Sequence, residues 1–139
     1  MSEGRLLVIE DDPPSRVMIA RGLARYGYTV EAVADALAAQ ARLRIADSGA
    51  YDGALVDLRL PNMDGFEFIN WLHGADPAIG CILMSAQLDD AMDDHQAHPS
   101  LLFRMGKPIS FPVLDEALRQ VVAFTRAHRQ TEAPRRAAG

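Results

Sequence analysis

The chain has 139 residues, a formal charge of −5 and one cysteine, Cys81, so it has the length of one ordinary domain and cannot form an internal disulfide framework. The acidic balance is unfavourable for general nucleic-acid binding, which needs a basic surface. The apolar run at residues 6–9 is too short for a secretory signal or a membrane span, so we expect a cytoplasmic protein.

Five short apolar runs, each bounded by turn residues, alternate along the chain with helix-like stretches. Runs of this kind are typical of buried parallel strands, which we place near residues 5–9, 29–33, 53–56, 79–84 and 101–105. Asp12 and two prolines predict a first helix reaching Gly27, and Asp35 predicts the start of a second one that ends near Gly49. The alternation indicates an α/β fold with a doubly wound, five-stranded parallel sheet.

The second half of the chain contains two more predicted helices. One follows Asp64-Gly65 and ends before Pro77. The last helix follows Ser110, a plausible cap, and has an apolar stripe at helical spacing: Val113, Leu114, Ala117, Leu118, Val121, Val122 and Thr125. We place the folded domain at residues 1–130 and expect 131–139 to be a disordered tail. Residues 88–99 hold only two large apolar side chains, which predicts a short or mobile segment.

Polar side chains follow four of the predicted strands, at the point where each strand ends. They are Glu10 and Asp11 after the first strand, Asp57 after the third, Ser85 after the fourth and Lys107 after the fifth. The carboxyl ends of parallel strands face one crevice, where ligands bind. Carboxylates, a hydroxyl and an amine in one crevice predict a site for a divalent metal and a phosphoryl group.

Each of these residues also has a purely structural interpretation. Asp57 alone could be a turn residue, the acids after the first strand could only cap a helix, and Ser85 could be a satisfied strand-end hydroxyl. Their joint occurrence at successive strand ends favours the functional interpretation.

The set resembles the receiver domain of two-component response regulators over roughly residues 5–129. Glu10 and Asp11 are similar to the acidic pair of that family, Asp57 to its phosphoacceptor, and residues 60–65 to the loop that follows. Ser85 is similar to the hydroxyl residue of the fourth strand and Lys107-Pro108 to the lysine-proline pair of the fifth. The resemblance implies a flavodoxin-like receiver fold.

The resemblance also implies the chemistry. Asp57 would take a phosphoryl group from a phosphohistidine, with Ser85 and Lys107 contacting the phosphoryl oxygens. Mg²⁺ would be held by Glu10, Asp11, Asp57 and the backbone carbonyl of Arg59, because magnesium prefers oxygen ligands. The implied partners are a histidine kinase or a histidine phosphotransfer protein and a downstream protein target. No direct nucleic-acid or membrane contact is expected, and a homodimer is compatible with the resemblance.

Two alternatives stay open beside this phosphorelay function. The first is a receiver-like scaffold that works without phosphorylation. The second is an aspartate-nucleophile phosphatase, but such enzymes need a second aspartate where this chain has Arg59. As a receiver, the chain would hydrolyse its own aspartyl phosphate slowly and would not be a turnover enzyme.

One position departs from the family pattern. Receivers usually have an aromatic residue three positions before the lysine of the fifth strand, and here that residue is Arg104. Period-two alternation places Phe103 on the opposite face of the strand, so Phe103 is not a simple replacement. We expect Arg104 to act as a charged switch or the usual hydroxyl–aromatic coupling to be absent.

Overall fold

The protein, seen in a computed structural model, is described over residues 2–47, 49–87 and 98–138. Within these residues the chain forms strands β1 (Arg5–Ile9), β2 (Thr29–Val33), β3 (Gly53–Asp57), β4 (Cys81–Ser85) and β5 (Leu101–Gly106). The helices are α1 (Pro13–Arg25), α2 (Ala36–Ile45), α3 (Gly65–Ala75) and α4 (Phe111–Ala138). The predicted strands are confirmed to within about two residues at their ends.

All five strands are parallel and form one sheet in the order β2-β1-β3-β4-β5. This order is the flavodoxin-like doubly wound arrangement, which confirms the predicted fold class. The chain adds β2 on one side of β1 and β3 on the other side. The point where the strand order reverses, the topological switch point, therefore lies between β1 and β3. Ligand sites in such sheets lie at the carboxyl ends of the strands at this switch.

The helices cover both faces of the sheet. The core on one face holds apolar side chains of α2 and α3, whereas the core on the other face holds those of α1 and α4. β3 and β4 are buried along their whole length, as expected for strands covered on both faces. No helix among the described residues is both long and apolar enough to cross a lipid bilayer.

Side chains start the first three helices as the sequence predicts. Asp12 accepts a hydrogen bond from the Ser15 amide (3.1 Å). Asp35 accepts one from the Ala38 amide (2.7 Å), and Asp64 accepts one from the Glu67 amide (2.8 Å). Each carboxylate satisfies an amide that has no partner within its own helix, and it stabilises the positive end of the helix dipole.

The last helix differs from its prediction at one position. Val113 was placed in the buried stripe but is 57% exposed, because it lies outside the arc that Leu114, Leu118 and Val121 bury against the sheet. The helix extends through Ala138. The domain boundary at residue 130 and the disordered tail stay predictions. The predicted weak segment 88–99 falls almost wholly outside the described residues.

Candidate functional site

Three acidic side chains converge at the carboxyl ends of β1 and β3. One oxygen each from Glu10, Asp11 and Asp57 lie within 4.8 Å of one another. β1 ends at Ile9 and β3 at Asp57, and the two strands are paired, so the sheet itself brings these residues together. Glu10 is fully buried and Asp57 is 6% exposed, whereas Asp11 is open to solvent. The cluster is therefore a carboxylate site with one open side.

Lys107 joins the cluster from the end of β5. Its ammonium donates hydrogen bonds to Glu10 Oε1 (2.7 Å) and to Asp57 Oδ2 (3.1 Å). Its own amide donates to the carbonyl of Ser85 (2.8 Å), which fixes the backbone of Lys107 beside the end of β4. The peptide bond to Pro108 is cis. The structure thus places the lysine where it partly neutralises two buried carboxylates.

The cluster contains one buried carboxylate oxygen without a partner in the described part of the chain. Among the described residues, Glu10 Oε2 is the buried side-chain polar atom that has no hydrogen-bond partner. Burial, together with the neighbouring Asp57, raises the pKa of Glu10 to about 7 in spite of Lys107. Burial opposes the charged form of Lys107, but its bonds to Glu10 and Asp57 prevail and raise its pKa. A buried carboxylate oxygen without a partner is costly unless a proton or a cation satisfies it.

These residues fit a magnesium ion. Hard divalent cations take carboxylate and carbonyl oxygens, and magnesium usually retains several waters. The three carboxylates supply such oxygens on one side, and the exposure of Asp11 leaves the other side open to solvent and to a second ligand. The amide of Arg59 donates to Asp57 Oδ1 (3.3 Å), so the loop after β3 folds back toward the Asp57 carboxylate.

The third acid of the run, Asp12, is kept out of the cluster. Its Oδ2 accepts from the amide of Ser15 (3.1 Å) and from the hydroxyl of Ser15 (2.6 Å). Those bonds lower the pKa of Asp12 and hold its side chain on the first turn of α1. The predicted helix start at Asp12 is confirmed by this geometry. The role of Glu10 and Asp11 as metal ligands stays a prediction.

Ser85 is buried at the end of β4, but its hydroxyl is already occupied. It donates to the carbonyl of Gln87 (2.8 Å) and accepts from the amide of Gln87 (3.0 Å). To contact a phosphoryl group, the hydroxyl must exchange the first of these bonds. The sequence places Ser85 at the right strand end but does not reveal this local turn.

Arg104 lies on the face of the sheet that α3 covers. Its guanidinium carbon is 5.8 Å from the centre of the Phe66 ring, while Phe103 packs in the opposite core. This confirms that Phe103 and Arg104 point to opposite faces. A register shift pairs Cys81 with Leu101 and Ile82 with Phe103, so Leu102 is an extra residue in β5. Leu102 packs on the same side as Phe103, an exception to strict alternation that the sequence does not reveal.

Two residues near the site make backbone contacts that the sequence does not reveal. The guanidinium of Arg16, on α1, donates to the carbonyls of Glu10 and Asp11. Gly65, at the start of α3, donates its amide to the carbonyl of Leu58 (2.8 Å) directly after β3. The sequence does contain an indication for Arg16. A cation in the first turn of a helix opposes the helix dipole, so an arginine there suggests a specific contact.

Gly65 allows α3 to start against the backbone of β3. A Cβ atom on Gly65 would lie 2.7 Å from the Asp57 carbonyl oxygen, 2.7 Å from a Leu83 methyl and 3.0 Å from the Leu58 Cα. We expect Gly65→Ala to lower the free energy of unfolding by about 1–3 kcal/mol, because two of these neighbours are backbone atoms. Urea denaturation of the wild type and of Gly65→Ala, monitored by circular dichroism, measures this change in the free energy of unfolding.

Gly74 of the same helix is the matched control. A Cβ atom on Gly74 has nothing within 4 Å. Gly74→Ala should therefore stabilise the protein by roughly 0.5–1 kcal/mol, since alanine is favoured over glycine inside a helix. Equal effects of the two substitutions would show that the close approach at Gly65 is not what constrains α3.

Comparison with known proteins identifies the family. A family profile described as response regulator receiver domain matches residues 6–119. The transcriptional regulatory protein TcrA of Mycobacterium tuberculosis is 34% identical over 104 residues, which cover 68% of this chain and 40% of that protein. The transcriptional regulatory protein HprR of Escherichia coli is 31% identical over 128 residues, or 89% of this chain and 52% of that protein. The chain thus spans about half the length of these relatives or less.

Solved structures show the same fold. A CheY-like response regulator receiver domain from Methanospirillum hungatei superimposes with a TM-score of 0.75, at 24% identity, over 89% of this chain and 97% of that one. The response regulator TrrA from Thermotoga maritima, solved in complex with Mg²⁺ and BeF, has a TM-score of 0.75 at 21% identity. That match covers 87% of this chain and 99% of that one. Because the profile spans most of the sequence, the chain belongs to the response regulator receiver domain family of two-component signalling proteins.

Proposed function

We propose that this receiver domain accepts a phosphoryl group on Asp57 from a phosphohistidine, in a reaction that requires magnesium. The observation that carries the proposal is the carboxylate cluster of Glu10, Asp11 and Asp57 with Lys107 bonded to two of its members. A histidine kinase or a histidine phosphotransfer protein would be the donor. A downstream protein would recognise the phosphorylated form.

The proposed step is a transfer to oxygen. An Asp57 carboxylate oxygen attacks phosphorus, the bond from phosphorus to the donor imidazole nitrogen breaks, and the imidazole leaves and takes up a proton. When bound, magnesium would supply positive charge that offsets the repulsion between the carboxylates and the incoming phosphoryl oxygens. Glu10, Asp11, Asp57 and the carbonyl of Arg59 would hold it.

The side chains around Asp57 have separate roles in this proposal. Lys107, already 3.1 Å from Asp57 Oδ2, would move its ammonium from the carboxylate to a phosphoryl oxygen. Ser85 would donate its hydroxyl to another oxygen after releasing Gln87. The phosphatase alternative needs an aspartate as general acid two residues after Asp57, and Arg59 offers no carboxyl group at that position.

The test is phosphorylation with a small acyl phosphate or phosphoramidate in the presence of magnesium, followed by intact-mass measurement. One phosphoryl group should be added, and chelation of magnesium should prevent it. A chain that stays unmodified under conditions that phosphorylate a known receiver would favour the scaffold alternative.

The absence of nucleic-acid contact stays a prediction, since the named relatives are transcriptional regulators.

The raised pKa of Glu10 predicts a pH-dependent metal affinity. Because this pKa is about 7, Glu10 is largely protonated below neutral pH in the metal-free protein, and metal binding must displace that proton. Magnesium affinity should fall with decreasing pH, approaching about tenfold per pH unit when one proton is displaced. Calorimetric titration of magnesium across the neutral range measures this slope.

The metal-free protein should show the opposite trend in stability. A carboxyl whose pKa is raised on folding binds more protons in the folded state, so stability rises as pH falls from about 7 toward 4.5. Glu10→Gln keeps the shape of the side chain and removes the titration, and it should flatten both trends. A slope that persists in Glu10→Gln would assign the proton to another group.

A further inference from the structure

We propose that Arg16 is a positioning residue for the metal-binding carboxylates, acting through the backbone of Glu10 and Asp11. The inference rests on the proposed function, because it concerns the same magnesium site. Arg16 does not touch the reacting atoms. Its role is to hold the loop between β1 and α1 so that two carboxylates point toward Asp57.

The contacts that carry the inference come from one nitrogen of the guanidinium. Arg16 Nη1 donates to the carbonyl oxygen of Glu10 at 2.9 Å and approaches that of Asp11 at 3.4 Å. The amide of Glu10 donates to the carbonyl of Val33 at 3.0 Å, on the neighbouring strand β2. The backbone of Glu10 is thus held on one side by the sheet and on the other by Arg16.

Asp11 depends more heavily on this support. It lies beyond the end of β1 and is exposed, and the structure gives it no side-chain hydrogen bond among the described residues. The next residue, Asp12, is fixed as the cap of α1 by its bonds to Ser15. Arg16 therefore spans the two residues between the last strand position and the helix cap.

Charge alone gives no reason for an arginine at this place. Arg16 lies in the first turn of α1, where a cation opposes the helix dipole. A cation beside a magnesium site also repels the metal, since like charges raise the energy of the bound state. If charge were the whole effect, removing Arg16 would strengthen magnesium binding. Support of the loop by hydrogen bonding predicts the reverse, and the two accounts differ in sign.

The experiment is calorimetric titration of magnesium into the full chain. Arg16→Ala should weaken binding on the order of tenfold, the loss typical of groups that orient metal ligands. Arg16→Lys keeps the charge but loses the planar fork, and should retain part of the affinity. Arg21→Ala removes an exposed arginine from the same helix and should leave binding unchanged.

A second measurement separates positioning from catalysis. At saturating magnesium, the rate of phosphorylation of Arg16→Ala by a small phosphodonor should return close to the wild-type rate, because the missing interaction affects assembly of the site. Amide hydrogen exchange of the metal-free proteins should be faster at residues 10–12 in Arg16→Ala only. If Arg16→Ala does not fold, the intermediate affinity expected of Arg16→Lys provides the same test.

The outcomes are distinguishable. Magnesium affinity in Arg16→Ala equal to or tighter than that of the wild type would overturn the positioning role and leave the proposed function standing. Equal losses in Arg16→Ala and Arg21→Ala would also overturn it. A wild-type chain that binds no magnesium would overturn the proposed function together with this inference.

Discussion

Replacing Asp57 by asparagine should abolish formation of the phosphoryl adduct. Asp57 belongs to the acidic cluster, accepts a hydrogen bond from Lys107, and is 6% exposed at the end of β3. An amide has nearly the same shape but no anionic oxygen to attack phosphorus. Intact-mass measurement after incubation with a small phosphodonor and magnesium should show one added group on the wild type and none on Asp57→Asn.

Asp64→Asn is the matched control for this experiment. Asp64 caps α3 through the amide of Glu67, and asparagine is about as good a helix cap as aspartate. Asp64→Asn should therefore be phosphorylated like the wild type. An adduct that persists on Asp57→Asn would sink the assignment of the acceptor and redirect attention to the other carboxylates of the cluster.

Asp11→Ala and Lys107→Ala should affect different properties: the first should weaken magnesium binding, and the second should impair the response to phosphorylation. Asp11 offers an exposed carboxylate to the cluster, so removing it should weaken magnesium binding by more than about tenfold. Removing a residue that only orients a metal ligand already lowers affinity by about tenfold, and a direct ligand should matter more. Lys107 is a cation bonded to Glu10 and Asp57. Its removal should leave magnesium affinity at or above the wild-type value, because one repulsive charge is gone.

Phosphorylation completes the contrast. Even at saturating magnesium, the conformational response of Lys107→Ala to phosphorylation should be weaker than that of the wild type. The reason is that no ammonium remains to pair with a phosphoryl oxygen. Asp11→Asn is the control for Asp11→Ala, because it keeps a neutral oxygen ligand and should bind magnesium with intermediate affinity. A titration in which Asp11→Ala binds magnesium like the wild type would refute this division of roles.

The fold and the candidate site could be predicted from the sequence because both depend on strand ends. Four of the five strands are mainly apolar runs with a polar side chain of the site at or directly after their last residues. Parallel strands bring those strand ends to one edge, so Glu10, Asp57 and Lys107 meet although the first and last are 97 residues apart. The helix starts at Asp12, Asp35 and Asp64 could also be predicted, because an aspartate directly before a helix accepts hydrogen bonds from amides of its first turn.

The remaining features depend on tertiary contacts that leave no local pattern. The bulge at Leu102 arises from pairing with β4 and has no turn residue to mark it. The closure of Ser85 onto Gln87 is a choice of side-chain rotation. The sequence places Gly65 at the start of α3, but no local pattern marks its close approach to the backbone of β3.

Lys107 has a practical consequence for spectroscopy. The chain contains 13 arginines and a single lysine, so the ammonium bonded to Glu10 and Asp57 is the only side-chain amine in the molecule. An isotope label introduced through lysine would therefore give one nuclear magnetic resonance signal from the middle of the site. Chemical shift at that nitrogen would follow the ionisation of Glu10, whose pKa is raised by burial, without any mutation.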